Sequence, residues 1–564
     1  MDPLTPNFDV IVIGSGISGG WAAKEFCDKG FKTLVLERGK DVKHVEDYTT
    51  ANTAPWEMEY HGRITQKERE ENPIVSKCYA YGRTTEHFFV KDNEHPYQQD
   101  RPFDWIRAYQ VGGKSLLWAR QVQRWSHFEF ERPQRDGYGI AWPITYDDLA
   151  PWYTHVEQFI GVSGNNDGLE EVPDGAFLPP WEMNAIEKHI QKEIKRQYPN
   201  RTAVIGRCAH LTAAKEIHRE QGRNQCMART RCERGCPLGA YFSSNASTLP
   251  WAKKTGNLQL KTHQIVSKIL YDPKTEKATG VEVIDAYTKA VKRYSARVVF
   301  VNAATINSNS ILLNSTSERF PNGLGNDNGL LGRYLSFHNY RGQVTAIHRG
   351  APEAYYYGRR PTSVMIPSFR NKTRQDAAFQ GGYMMFYSAI RQGWTQQQEG
   401  AAFGTDYINK SAQPGPWSIY MMMQGETVPQ KNNRVYLSNQ KDRYGIPKVT
   451  LDVGYTQNDE LMLADFLEQG TAMLKKAGCE QINAYETHQA PGLDIHEMGG
   501  VRMGNDPSTS LLNQYNQMHL CKNVFVTDGA CMPSTGVQNP SLTFMAITAR
   551  AVDYAAAQLK NRSI

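Results

Sequence analysis

Three groups of residues in this chain have the types and spacing that chemistry needs. Cys226, Cys232 and Cys236 are spaced Cx5Cx3C, and Pro237 follows the last of them. Thiolates hold iron–sulfur clusters, a cysteine followed by proline after a tight run of others is ferredoxin-like, and three ligands in one loop suit a three-iron four-sulfur cluster. Zinc is an alternative, although the CxxC knuckle is absent and a fourth ligand would have to be Cys208 or His210. A disulfide with one spare thiol also fits the spacing.

The second group is Gly14, Gly16 and Gly19, a GxGxxG that directly follows the strand-like FDVIVIG and opens a helical stretch. Glu37 ends the next strand-like run, FKTLVLER. Such glycines let the backbone turn tightly and approach a pyrophosphate at a helix N-terminus, while the acid is placed to bond a ribose hydroxyl. This predicts a dinucleotide and leaves NAD and FAD open. The third group is His496, in DIHEMGGVRMG, and Asn539, in QNPSLT. A histidine beside glycines is more often structural, and an Asn-Pro is more often a turn. A histidine is also the side chain best suited to take a hydroxyl proton near neutral pH, and a neighbouring amide can hold that hydroxyl against it.

The segment NVFVTDGACMPSTGVQNPSLTFMAITARAVDY, with VGGKSLLW at 111–118 and HEMGGVRMG at 496–504, closely resembles the glucose-methanol-choline (GMC) oxidoreductases. The resemblance implies FAD. It implies that Gly14, Gly16, Gly19 and Glu37 hold the ADP half, that Val266 offers a backbone contact to adenine, and that Asp528 and Gly529 lie along the pyrophosphate and ribitol. Gly112, Gly113 and Ser115 match the loop beside the isoalloxazine. Leu117 stands where pyranose oxidases of the family carry a covalently linked histidine, so a non-covalent FAD is expected. His496 matches the family's catalytic histidine and Asn539 its partner. His338 in GRYLSFHNY, His210 and His263 lie in no such motif and are expected to be structural.

The run DWIRAYQVGGKSLLWARQVQRWS and the cysteine loop with CPLGA resemble the catalytic subunits of bacterial glucoside 3-dehydrogenases. The implied reaction is oxidation of a sugar or glycoside at C3 to a 3-keto sugar. Trp118, Trp125, Gln121 and Gln123 are candidates for holding the sugar. Glucose C1, fructose C5 and gluconate C2 are the alternative positions, and a sugar oxidase or a non-redox hydroxynitrile lyase the alternative activities. A cluster takes one electron at a time, so the pair delivered by hydride would leave stepwise to an external acceptor such as cytochrome c. Related catalytic subunits also pair with a small export subunit bearing a twin-arginine signal, which implies a periplasmic destination, with the cytoplasm as the alternative. The segment MDPLTPN lacks a basic n-region, and residues 10–13 are too short for a signal h-region, so export would depend on such a partner.

The elements that must position these residues follow from patterning. Residues 8–38 read as a βαβ unit, 46–135 as polar, aromatic loops and lids, and 255–315 as further strands of the first domain. From 340 to 455 come RGQVTAIHR, TSVMIPSF, FQGGYMMFYSAI, WSIYMMMQGE and IPKVTLDVGY, which suit one antiparallel sheet in a separate domain. A helix is expected over 459–477, and strand, loop and closing helix after 495. The predicted fold is α/β: a Rossmann-like FAD-binding domain from 1–45, 205–330 and 490–564, with the cluster loop at 226–237. Lid and FAD-contacting loops occupy 46–204, and an α+β substrate domain on the antiparallel sheet occupies 331–489.

At 564 residues the chain is long enough for two large cores. Its net charge of +6 comes from scattered Lys and Arg, which argues against nucleic acid as a partner. A mean hydropathy of -0.58 and the lack of any 18-residue apolar run argue against a membrane span.

Overall fold

A run of β-branched residues such as Val10, Ile11, Val12 and Ile13 belongs in a strand covered on both faces. In the computed structural model, which describes residues 7–354, 360–392, 403–411 and 414–564, this run forms β1 (Phe8–Ile13) at the centre of a parallel sheet. Val10 sits opposite Thr33 of β2 (Thr33–Leu36) on one side and Val298 of the strand Val291–Val301 on the other. Leu258–Lys261 continues the sheet beyond β2, and Val524–Val526 continues it beyond Val291–Val301, all parallel. The βαβ unit is therefore present, with α1 (Ile17–Asp28) as its crossover. Small residues let α1 approach the closing helix Ser541–Lys560: Ala22 and Ala23 share a core with Ala551, Val552 and Ala555.

The strand Val291–Val301 serves two neighbours in succession. Its second half pairs with β1, while its first half pairs antiparallel with Lys277–Asp285, which in turn pairs with Gln264–Asp272. The alternating runs of 255–315 thus extend the first sheet, as their pattern predicts.

The second sheet is antiparallel, in the order Glu480–Glu486, Gly342–His348, Trp417–Glu426, Tyr383–Arg391, Val364–Ile366, Val204–Ile205. The helix Gln457–Lys476 covers one face, burying Met462, Leu463, Phe466, Met473 and Leu474. It starts two residues before the expected position, where the Asp459 carboxylate accepts from the Thr456 amide at 2.7 Å and its hydroxyl at 2.8 Å. Ala185–Gln197 packs beside it through Ile186, Ile190 and Ile194.

One expectation is corrected. IPKVTLDVGY forms Pro447–Asp452, which does not join the second sheet but a third, with Arg434–Lys441, Arg333–Ser336, Met498–Gly500 and Gln98–Gln99. Alternation identifies a strand and the face it buries, whereas its partner is chosen by packing across distant segments. This third sheet brings the His496 segment against the second sheet's neighbours. Among the described residues, no helix is long and apolar enough to cross a membrane.

Candidate active site

A cavity of about 1240 Å³ runs from the end of β1 to the uncovered face of the second sheet. Its first end is built around the glycines. Gly14 has φ +95°, and a Cβ there would stand 2.4 Å from the Asn302 carbonyl oxygen; a Cβ on Gly19 would stand 2.0 Å from the Gly14 oxygen. The strand, turn and helix can meet only without side chains at these points. At Gly16 a Cβ would meet nothing within 4 Å, so this residue leaves space above the start of α1. No side chain caps that helix end, whose free N–H groups favour an anion. Glu37 lines the cavity with its carboxylate already engaged: Oε2 accepts from the Ser15 hydroxyl at 2.6 Å and amide at 3.2 Å, and Oε1 from the Gly39 amide at 2.9 Å. Burial pushes its pKa up against these bonds.

The second glycine loop is locked to the first. The Gly112 amide donates to Ser15 Oγ at 3.1 Å, and Ser115 Oγ donates to the Gly112 carbonyl at 2.5 Å. Gly112 is left-handed, at φ +84°, and Gly113 comes against the Gly16 backbone. Leu117 is buried with Leu116 and Phe89 while also lining the cavity. Val266 lines it too, as do Asp528 and Gly529. Asp528 accepts from Ser308 Oγ at 2.5 Å and from the Ala530 amide at 3.0 Å, and burial pushes its pKa up to about 6. All the predicted nucleotide-binding residues except the close-packed Gly19 and Gly112 therefore line one cavity, and those two shape its walls.

His496 and Asn539 both line the same cavity, each beside Tyr340. One amide atom of Asn539, Oδ1, is buried without a partner among the described residues. So are Gln264 Oε1 and Glu497 Oε1 on the cavity wall. Unpartnered buried acceptors beside side-chain-free glycines fit a large polar ligand, and the cavity fits an FAD in that sense. Lys114 bridges the two regions through an ion pair with Glu497 at 3.0 Å.

Behind His496 stands His338, the residue expected to be structural. Their Nδ1 atoms lie 3.0 Å apart, and His338 Nε2 lies 3.0 Å from the Gly536 carbonyl. Asp494 ties both backbones together: its Oδ2 accepts from the His338 amide at 2.9 Å and the His496 amide at 3.2 Å. Burial lowers the pKa of His338 to about 3, and His496 is pushed well below its ordinary value by removal from water, then by His338 and Lys114. Burial raises Asp494 to about 7. Tyr340 also lines the cavity, donating to Gln424 Oε1 and receiving the Asn539 amide. Nothing in the local sequence marks His338 or Tyr340, because their relation to His496 arises only in the tertiary fold; Asp494 stands two residues before His496, in the same motif.

The cysteine triplet lies on a loop against residues 48–53, held by Arg229 to the Ala51 carbonyl at 2.9 Å and by Arg234 to the Thr53 carbonyl at 2.9 Å. All three thiols are free and half-buried, and among the described cysteines none forms a disulfide. They are near enough for Cys226 and Cys236 to raise the pKa of Cys232, which burial lifts to about 11. They do not converge as ligands of a single ion; the one group of three that does so among the described residues is His338, Asp494 and His496. Cys232 and Glu233 reach the same cavity as His496. Cys208 is fully buried against Ser163, and His210 lies 3.7 Å from Cys232 Sγ.

Of the four candidate sugar-holding residues, Trp118 and Gln121 line the cavity. Trp125 and Gln123 do not: both are fully buried, Trp125 between Phe130 and Trp142. The segment from Val122 to Ser126 is buried throughout, which places both in the core and corrects their expected role.

Two models of the GMC oxidoreductase family match this chain, the N-terminal one over residues 98–339 and the C-terminal one over 429–548. The chain belongs to the GMC oxidoreductases, which are FAD-dependent enzymes that oxidise alcohol groups. It is 27% identical to 2-methyl-1,2-propanediol dehydrogenase of Mycolicibacterium austroafricanum, over 97% of this chain and 94% of that one. It is 25% identical to the fructose dehydrogenase large subunit of Gluconobacter japonicus, over 98% of both chains. It is 25% identical to paromamine 6'-oxidase of Streptomyces fradiae, over 98% of this chain and 92% of that one. Among solved structures, pyridoxine 4-oxidase from Mesorbium loti shares the fold with a TM-score of 0.60 at 14% identity, covering 97% of this chain and 99% of that one. A formate oxidase variant of Aspergillus oryzae RIB40 does so with a TM-score of 0.61 at 12% identity, covering 99% and 100%.

Proposed function

We propose that this protein is an FAD-dependent dehydrogenase of a sugar or glycoside, oxidising a secondary hydroxyl at C3 to the ketone. The observation that carries this reading is that His496 and Asn539 line one cavity with the glycine cradle. Non-covalent FAD would be held by Gly14, Gly16, Gly19 and Glu37 at one end, by Val266, Asp528 and Gly529 along its length, and by Gly112, Gly113 and Ser115 near the reacting ring. When bound, FAD accepts hydride from the alcohol carbon. The chain's own part is acid–base and positional: Asn539 holds the hydroxyl oxygen, and His496, neutral because it is removed from water, takes its proton.

The far wall suits a polyhydroxyl ligand. Gln121, Asn184, Gln343, Thr362, Ser388 and Tyr420 offer donors and acceptors around Phe386 and Met422. Two relatives are named for action on a sugar or aminosugar derivative, which favours the same class. The long match to a fructose dehydrogenase supports C5 of a ketose as the second choice of position.

The reading extends to the electrons. Cys226, Cys232 and Cys236 would hold a three-iron four-sulfur cluster, which would supply one-electron transfer. Two buried arginines beside them lack adequate counter-charge. Arg223 is fully buried with no carboxylate partner among the described residues, its pKa lowered by burial to about 9 against the raising effect of Cys236. Arg120 has two guanidinium nitrogens without partners and Glu233 only at 3.7 Å. An anionic cluster would complete both. Electrons would pass to an external acceptor such as cytochrome c, in the periplasm and with a small export subunit. Incubation of the FAD-loaded protein with a sugar panel and an artificial dye, with NMR of the product, tests the substrate and carbon. Retention of near-normal flavin bleaching by His496→Ala would remove the catalytic assignment.

A further inference from the structure

His338 lies on the two-residue strand His338–Asn339, which pairs with the end of Trp417–Glu426. It is fully buried, and both ring nitrogens are engaged. The partner of its Nε2, at 3.0 Å, is the Gly536 carbonyl, which can only accept. His338 therefore carries its proton on Nε2 and a lone pair on Nδ1. Its burial keeps it neutral. The 3.0 Å contact between the two Nδ1 atoms then has one polarity: His496 donates and His338 accepts. His496 is neutral as well, so its single proton sits on Nδ1 and its Nε2 is bare.

We propose that His338 is a positioning residue that sets the tautomer of His496, accepting its Nδ1–H and so leaving Nε2 free to take the substrate's hydroxyl proton. The inference rests on His496 being the base. When the hydroxyl O–H bond breaks, the proton bonds to Nε2 and the electron pair stays on oxygen. His496 is then an imidazolium whose Nδ1–H still points at the His338 lone pair. A carboxylate in that place would stabilise the imidazolium with a full charge. A neutral imidazole stabilises it less, so the proton is released readily after each turnover. The other charged and titratable groups around the pair are Asp494, whose oxygens are taken by the amides of His338, His496 and Gly492, Lys114 paired with Glu497, and Tyr340.

The anchor also couples base and substrate positioning. Gly536 precedes Asn539 by three residues, and a Cβ on it would meet Glu129 at 2.9 Å and Trp125 at 3.1 Å. The loop bearing Asn539 is thus fixed by the core, and His338 ties His496 to it.

Two substitutions separate the functions of the ring. His338→Asn keeps an acceptor near the position of Nδ1, whereas His338→Gln keeps a donor for Gly536 and removes the acceptor. In the FAD-loaded protein labelled with 15N-histidine, long-range 1H–15N spectra should show His496, assigned by its loss in His496→Ala, protonated on Nδ1. That state should persist in His338→Asn and shift toward Nε2–H in His338→Gln. Wild-type His496 protonated on Nε2 would overturn the proposal without any need for substrate. Rapid mixing with D-fructose or methyl α-D-glucopyranoside should give flavin reduction slowed about 100-fold in His338→Gln and under about 10-fold in His338→Asn, with substrate affinity little changed. Equal rates in the two variants, at equal flavin content and melting temperature, would also overturn it. An active His496→Ala would instead remove the base assignment on which it rests.

Discussion

Gly112→Ala is the substitution whose cost can be worked most directly from the structure. The residue is left-handed at φ +84°, and an added Cβ would lie 1.6 Å from Asn245 Oδ1 and 2.6 Å from Asn245 Cγ. Asn245 cannot yield cheaply, because its amide donates to the Val42 carbonyl at 2.6 Å and the Val111 carbonyl at 3.0 Å. The left-handed backbone costs about 1–2 kcal/mol for a residue with a side chain. Each lost hydrogen bond costs about 1 kcal/mol more, for a total of about 3–4 kcal/mol. Gly112 is bonded to Ser15, next to the helix start at Gly16, so the distortion falls on the wall proposed to hold the flavin. If about 3 kcal/mol of it appears in binding, the Kd for FAD rises about 100-fold. Titration of the apoprotein with FAD, followed by flavin fluorescence, measures this, and melting of the apoprotein shows the share that falls on stability. A variant that binds FAD within threefold of wild type and melts at the same temperature would refute the reasoning.

Three further outcomes are expected. Because His496 titrates well below its ordinary value, kcat/KM for flavin reduction should stay level from about pH 8 to about pH 5.5; a half-maximal point near pH 6.5 would show the base to be a solvent-exposed histidine. His338, with its pKa lowered to about 3, contributes stability that is present above the unfolded value of about 6.5 and is lost as pH falls through about 3. His338→Asn should therefore lose melting temperature less steeply than wild type between about pH 6 and pH 4.5, since the wild type forgoes about 1.4 kcal/mol more per pH unit; parallel curves would count against a buried neutral ring. Cys232→Ser should lose iron and labile sulfide and fail to reduce cytochrome c, yet still bleach its flavin with substrate. Wild-type protein containing zinc and no iron would dispose of the cluster.

The first unit of the fold was legible because its signals are local. Strand, glycine turn, helix and acid fall within about thirty residues, and their order alone forces the β1–α1–β2 crossover and the cradle at its turn. The helix Gln457–Lys476 was equally legible, its start marked by Thr456 and Asp459. The long antiparallel run was read as strands but not as two sheets. Period-two alternation in IPKVTLDVGY carries no record that its neighbour would be Arg434–Lys441 and not Trp417–Glu426.

The site divides in the same way. By itself the sequence determined the family and nominated the nucleotide cradle, His496 and Asn539, because each sits in a short, local motif. Tertiary structure alone decided that Trp125 and Gln123 belong to the core while Trp118 and Gln121 face the cavity. It alone decided that His338, 158 residues before His496, stands 3.0 Å behind it with its other nitrogen on the Gly536 carbonyl. A histidine's motif can nominate it as a base, but which of its nitrogens is bare depends on the hydrogen bond made by the other, and that partner arrives from a different sheet.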